Sequence, residues 1–181
     1  MRKTVVIFLV LFGTLLGVSL NAQNQPPQEI GLRLTGLDNF DLIYKREKNA
    51  NQFYRHRLGL ISFGVTGKDD TSVSEFGLGY AFGIEKRKSV NGKLNFVHGF
   101  EPRIASQYSS MDGNTIGWDL MVGVGYVLGF QYDFSDKFYV GLETVPALTY
   151  ARELDGPTKG TYELNLGFNS SAVALVLAHR F

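Results

Sequence analysis

Polar and apolar residues alternate with a period of two along most of this chain, the spacing that places successive side chains on opposite faces of a β-strand. The clearest run is Gly117 to Tyr132. Trp118, Leu120, Val122, Val124, Tyr126, Leu128, Phe130 and Tyr132 form one face, with Gly117, Asp119, Met121, Gly123, Gly125, Val127, Gly129 and Gln131 on the other. These 16 residues far exceed the about five or six usual for a strand in a globular domain. Glu75 to Arg87 repeats the pattern, with Phe76, Leu78, Tyr80, Phe82 and Ile84 against Glu75, Gly77, Gly79, Ala81, Gly83 and Glu85. Lys93 to Tyr108 and Lys137 to Ala151 follow it too, although Pro146 lies on the apolar face of the latter and predicts a local break in pairing.

Shorter segments come first: Glu29 to Gly36, Phe40 to Glu47 and Tyr54 to Thr66. In the third, Leu58 and Leu60 fall out of phase with Phe63 and Val65, which predicts a β-bulge near Ile61–Ser62. Thr161 to Phe181 switches phase in the same way, predicting a bulge or bend within Asn169 to Ala172. The count is then eight strands, and an even number returns both termini to the same side of a closed barrel. The expected connections are 37–39, 67–72, 109–115 and 152–160 at one end. At the other end they are 48–53, 88–92 and 135–136, where Asn91-Gly92 and Ser135-Asp136 are compact turn signals.

Before this repeating region, Arg2 and Lys3 precede an almost wholly apolar stretch from Val5 to Val18, with small or polar residues through Ala22. That order reads as a secretory signal peptide over residues 1–22, since the apolar stretch is too short for the ~20 residues of a spanning helix. Residues 23–28, containing Pro26-Pro27, read as a short extended leader, and 29–181 as the barrel. Cleavage after Ala22 would leave 159 of the 181 residues, with 16 basic residues against 17 acidic. A net charge of −1 gives no electrostatic case for nucleic-acid binding. Cys is absent, which excludes thiol nucleophiles and thiolate metal sites; with no Cys after the apolar stretch, a lipid-anchored lipoprotein is not expected. The mature part keeps 22 of 24 aromatic residues and 19 of 21 glycines and has no long apolar run, so a helical membrane protein is excluded.

Alternation alone does not say which face points outward, the choice between a membrane barrel and a soluble ligand-carrying one. The polar face mixes Gly and Ala with acids and bases, as suits a narrow interior where charges pair across the lumen. Aromatics close the apolar stripes, and Trp118, Tyr132 and Tyr150 read as girdle residues at the two membrane interfaces. A closed barrel also satisfies every backbone group within lipid. The expected fold is therefore all-β, a closed eight-stranded antiparallel up-and-down transmembrane barrel in the outer membrane of a Gram-negative bacterium.

The terminal segment Ala172-Val-Ala-Leu-Val-Leu-Ala-His-Arg-Phe181 resembles the C-terminal signature of outer-membrane barrels. Gly83-Ile-Glu-Lys-Arg-Lys88, His98-Gly-Phe-Glu-Pro102 and Gly125-Tyr-Val-Leu-Gly-Phe-Gln-Tyr132 resemble small outer-membrane β-barrel proteins common in Bacteroidetes. The resemblance implies that Phe181 is an assembly signal read by the barrel-assembly machinery. It supplies a location and no activity.

On this phasing the inward charges are Arg33, Asp41, Lys45, Arg55, Arg57, Glu75, Glu85, Arg87, Glu101, Arg103, Asp119, Glu143, Glu163 and Arg180. Acids and bases nearly balance, which predicts a structural ion-pair network filling the lumen rather than a polar conduit, because an unpaired buried charge is costly. Arg33, Glu75, Glu85, Glu101, Arg103, Asp119, Glu143 and Glu163 are its expected members. Catalysis is not expected: His56, His98 and His179 fall on the apolar face or near one edge, away from Ser106, Ser109 and Ser110. An outer-membrane lipid A-modifying enzyme would need such a pair on the outer rim. No His and carboxylate cluster has metal-ligand spacing, and turn chemistry accounts for Asp112-Gly113-Asn114 and Lys68-Asp69-Asp70. No metal or cofactor is expected. The expected partners are outer-membrane lipid and the assembly machinery, the expected state is a monomer, and the expected role is envelope integrity or surface interaction, with a passive channel or small-solute carrier as the alternative.

Overall fold

A computed structural model describes residues 26–36, 40–68, 71–167 and 173–181. The reading of 1–22 as a signal peptide and the phase switch placed within 169–172 lie outside the described residues. Among the described residues ten β-strands follow one another: β1 (Gln28–Leu34), β2 (Phe40–Asn49), β3 (Gln52–Lys68), β4 (Thr71–Asn91), β5 (Leu94–Met111), β6 (Asn114–Asp133), β7 (Phe138–Thr144), β8 (Ala147–Asp155), β9 (Tyr162–Gly167) and β10 (Ala174–Arg180). All pairings are antiparallel.

The order β5-β4-β3-β2-β1-β10-β7-β6 closes on itself through β5–β6, a ring of eight strands. The remaining two are continuations. β6 pairs with β7 through residues 128–133 and with β8 through 118–125, so β7 and β8 are one crossing broken at Val145–Pro146. Pro146 has no N–H to donate to the ladder, but its carbonyl still accepts from the Tyr126 N–H at 2.9 Å. β9 extends the eighth crossing and pairs with β8. Among the described residues it has no partner on its other edge.

The phase change in β3 is a register shift between Leu60 and Ser62 against β4, the bulge expected there. Ring closure is fixed by the ends of the chain: the Gln28 N–H donates to the Phe181 carbonyl at 3.2 Å, and the Phe181 N–H to the Gln28 carbonyl at 3.0 Å. Gln28 therefore already belongs to the first strand, one residue earlier than the expected leader boundary.

The loop-end hairpins are tighter than the side-chain pattern suggests. β5 and β6 stay paired to Met111–Asn114, leaving Asp112 (φ 50°) and Gly113 (φ 80°) as the two turn residues. Two successive left-handed residues match the twist of the flanking strands. The apolar alternation ends near Tyr108, while backbone pairing continues because a ladder needs no apolar side chains.

The outer face is the apolar one. Phe82, Phe100, Val122, Val124, Phe130 and Leu142 are exposed, whereas Arg55, Glu85, Glu101 and Gln131 are buried. This inverts the usual globular arrangement, in which ionised side chains stay outside. Glycines let the neighbouring strands β4 and β5 approach closely: a Cβ on Gly83 would run into the Phe100 carbonyl, and one on Gly99 into that of Ile84.

Candidate functional site

Inward positions on eight strands converge at the end of the barrel that carries both termini. Arg55 of β3 stands at the centre. Its Nε donates to Glu101 at 3.0 Å, its Nη1 to Glu85 at 3.0 Å and to Glu143 at 2.8 Å, and its Nη2 to Glu143 at 2.6 Å. The guanidinium presents its donors as a planar fork, so one cation can serve carboxylates from three strands. Glu85 is bridged as well by Lys45 at 2.6 Å, and Glu143 accepts from Arg33 Nε at 2.7 Å.

A second group sits closer to the termini. Glu29 accepts both terminal nitrogens of Arg87 at 2.7 and 2.6 Å, Arg180 Nε at 3.0 Å and the Tyr139 hydroxyl at 2.9 Å. Arg180 also donates to Asp133 at 2.7 Å, which accepts from Gln131 at 2.8 Å and Asn95 at 3.0 Å. Arg87 lies over the Phe53 ring at 3.8 Å, a favourable position for a desolvated cation. Toward the loop end, Asp41 accepts from Arg57 at 2.7 Å and Arg33 at 3.3 Å, and Arg57 Nη2 donates to Glu101 at 2.6 Å.

These ion pairs join seven cations, Arg33, Lys45, Arg55, Arg57, Arg87, Arg103 and Arg180, to six carboxylates, Glu29, Asp41, Glu85, Glu101, Asp133 and Glu143. Burial removes each ion from water at a cost of several kcal/mol, which is offset only when the partners are close and the remaining donors are satisfied. The near balance meets that condition, and among the described residues two buried atoms stand outside it: Arg103 Nε and Gln131 Oε1 have no hydrogen-bond partner. The void beside Lys45, Gln131, Tyr139 and Glu143 measures about 10 Å³, about enough for one water.

Of the eight side chains expected to form the network, the structure brings Arg33, Glu85, Glu101, Arg103 and Glu143 together. Glu75, Asp119 and Glu163 stand apart from it, which corrects the expectation for these three. Their strand registers aim them at the concave side, opposite Ser109, Glu153 and Ala151 respectively, yet all three are exposed. They sit beyond the last β2–β3 pair, Asp41–Gly59, where among the described residues β1 and β2 have ended and no cation reaches them. Nothing in the charge pattern of the sequence singles out Glu29, Asp133 and Tyr139. Their phase was legible, since Glu29 matches Arg33, Tyr139 matches Glu143 and Asp133 matches Gln131; they were missed because they occupy strand ends or look apolar.

On the outside, Trp118 Nε1 donates to Ser106 Oγ at 3.0 Å, and Tyr150 stacks on Tyr162 at 6.1 Å, both at the loop end. Tyr132 packs edge-on against Phe134 at 5.1 Å near the termini, where half-exposed Phe181 stacks on His179 at 6.4 Å. His56 and His98 face outward and bond the Tyr80 and Tyr126 hydroxyls at 2.7 and 3.2 Å.

Neither a family model nor a curated protein matches this sequence. Among solved structures the chain is similar to Ail, the attachment invasion locus protein of Yersinia pestis, an outer-membrane β-barrel. The TM-score is 0.50 at 13% identity, covering 87% of this chain and 100% of that one. The likeness is one of fold.

Proposed function

We propose that this chain is an outer-membrane β-barrel whose lumen is closed by its own side chains, and that it acts without catalysis, supporting envelope integrity or presenting its loop end to a partner outside the cell. The observation that carries the reading is the inverted distribution of charge. Arg55, Glu85 and Glu101 are buried at 1% exposure or less, while Phe100, Phe130 and Leu142 lie open at 53–63%. Water would penalise that exterior, and a bilayer would not. A closed ring has no free edge along its sealed part, as hydrocarbon requires. The barrel-assembly role of Phe181 and membership among Bacteroidetes-type barrels rest on the motifs quoted above.

An eight-stranded ring leaves room inside for side chains and little else, and here charged side chains fill it. The role is therefore structural or interfacial. Planar-bilayer recording on purified, refolded protein tests this: a closed lumen gives no steady single-channel steps. Resolved steps in the wild type would replace this reading with that of a passive channel. Detergent extraction followed by heat-modifiable migration on a gel tests membrane residence separately.

A further inference from the structure

We propose that the outer face of β4 and β5 carries a binding site for one anionic phospholipid of the leaflet at the termini end. The inference rests on the membrane reading above. Its starting point is the stretch of β4 and β5 around Pro102. Pairing runs to Ala81–Arg103 and continues in the same register from Ile84–Phe100. Between these pairs lies Pro102, which has no N–H to donate to the ladder.

An apolar groove of about 450 Å³ lies over this stretch on the outward face, walled by Phe82, Ile84, Phe100, Pro102 and Tyr126. Phe100 packs edge-on against Tyr126 at 4.8 Å and stiffens one wall. At the groove's termini end stand Lys86 and His98, which are cross-strand partners. His98 bonds Tyr126, whereas Lys86 has no carboxylate partner among the described residues. An amphiphile lying in the groove would place its chain along the aromatic wall and its head beside a free ammonium.

Charge decides which amphiphile. The exposed cations at the termini end are Arg46, Lys48, Lys86, Lys88, Lys93 and Lys137, against exposed Asp136. The loop end reverses this, with exposed Glu75, Asp112, Asp119, Asp155 and Glu163 against Arg152 and Lys159. Inside the barrel every buried cation is paired, so the free positive charge is concentrated on the outside at one membrane boundary. A cation at such a boundary attracts anionic headgroups, and Lys86 can reach the interface by extending its stem along the groove. A phosphatidylglycerol-type lipid fits the groove and its rim, and a zwitterionic lipid meets only the groove.

The test uses the full-length barrel, purified in mild detergent, exchanged with phosphatidylglycerol or phosphatidylcholine and examined by native mass spectrometry. We expect one phosphatidylglycerol retained at least about fivefold more often than phosphatidylcholine. Lys86→Gln should erase the preference, and Lys137→Gln, three strands away, should leave it. Ile84→Trp keeps the charge, fills the groove, and should reduce retention of both lipids. Equal retention of the two lipids by the wild type overturns the proposal, as does an equal loss in Lys86→Gln and Lys137→Gln. Heat-modifiable migration of each sample reports barrel formation independently. A heat-modifiable barrel without lipid preference defeats this inference alone, and a chain that stays in buffer without detergent defeats the membrane reading.

Discussion

The two ends of this barrel are built from the same alternating strands, and their inward carboxylates meet opposite fates. Near the termini Glu85 and Glu101 are fully buried among guanidinium groups. Near the loops Glu75, Asp119 and Glu163 point to the same side of the sheet and stay exposed. The chemistry of the residues is alike; the surrounding wall differs. β1 and β2 end at Leu34 and Phe40, while β3 runs nine residues past Gly59, its last β2 partner. Where all eight crossings are present, an inward charge must find a partner. Where the wall is incomplete, water takes that place. Inward direction alone therefore does not make a residue part of the core.

The comparison is broken most severely by removing its central cation. Arg55→Met leaves Glu85, Glu101 and Glu143 short of a shared partner and should cost about 3–5 kcal/mol, read as a lower urea midpoint for the barrel refolded in vesicles. A midpoint within error of the wild type would mean that the network contributes no stability. A smaller effect is expected from charging the exterior: Val122→Arg, on the outward face midway along β6, should cost about 2–4 kcal/mol in a bilayer. The same substitution would be near neutral if that face met water, so this variant sharpens the assignment of inside and outside. The smallest effects belong to the loop end. Asp119→Asn and Glu163→Gln should each stay within about 0.5 kcal/mol of the wild type, and a loss comparable to that of Arg55→Met would show that these carboxylates share the buried network after all.

Much of this architecture was legible in the sequence because strand faces are a local property. A period of two assigns Phe130 outward and Gln131 inward without reference to any other strand. The out-of-phase leucines before Phe63 marked the bulge, and Pro146 marked the break between β7 and β8, since each violates a rule that acts within a few residues. The tightness of the 112–113 turn was less legible: Ser109 and Ser110 end the alternation while backbone pairing goes on.

The chain by itself thus determined which side chains share a face, where a strand must bend, and that acids and bases would be enclosed in similar number. Tertiary structure alone decided which of them meet. Arg55 and Glu143 lie 88 positions apart in the chain and come within bonding distance only because closure of the ring, with its particular stagger, brings β3 and β7 to face each other across a narrow lumen. The same closure left Asp119 in water and gave Glu29 four donors. Period is set by neighbours along the backbone, whereas partnership across the lumen is set by the radius and stagger of the whole ring, which no short stretch of sequence encodes.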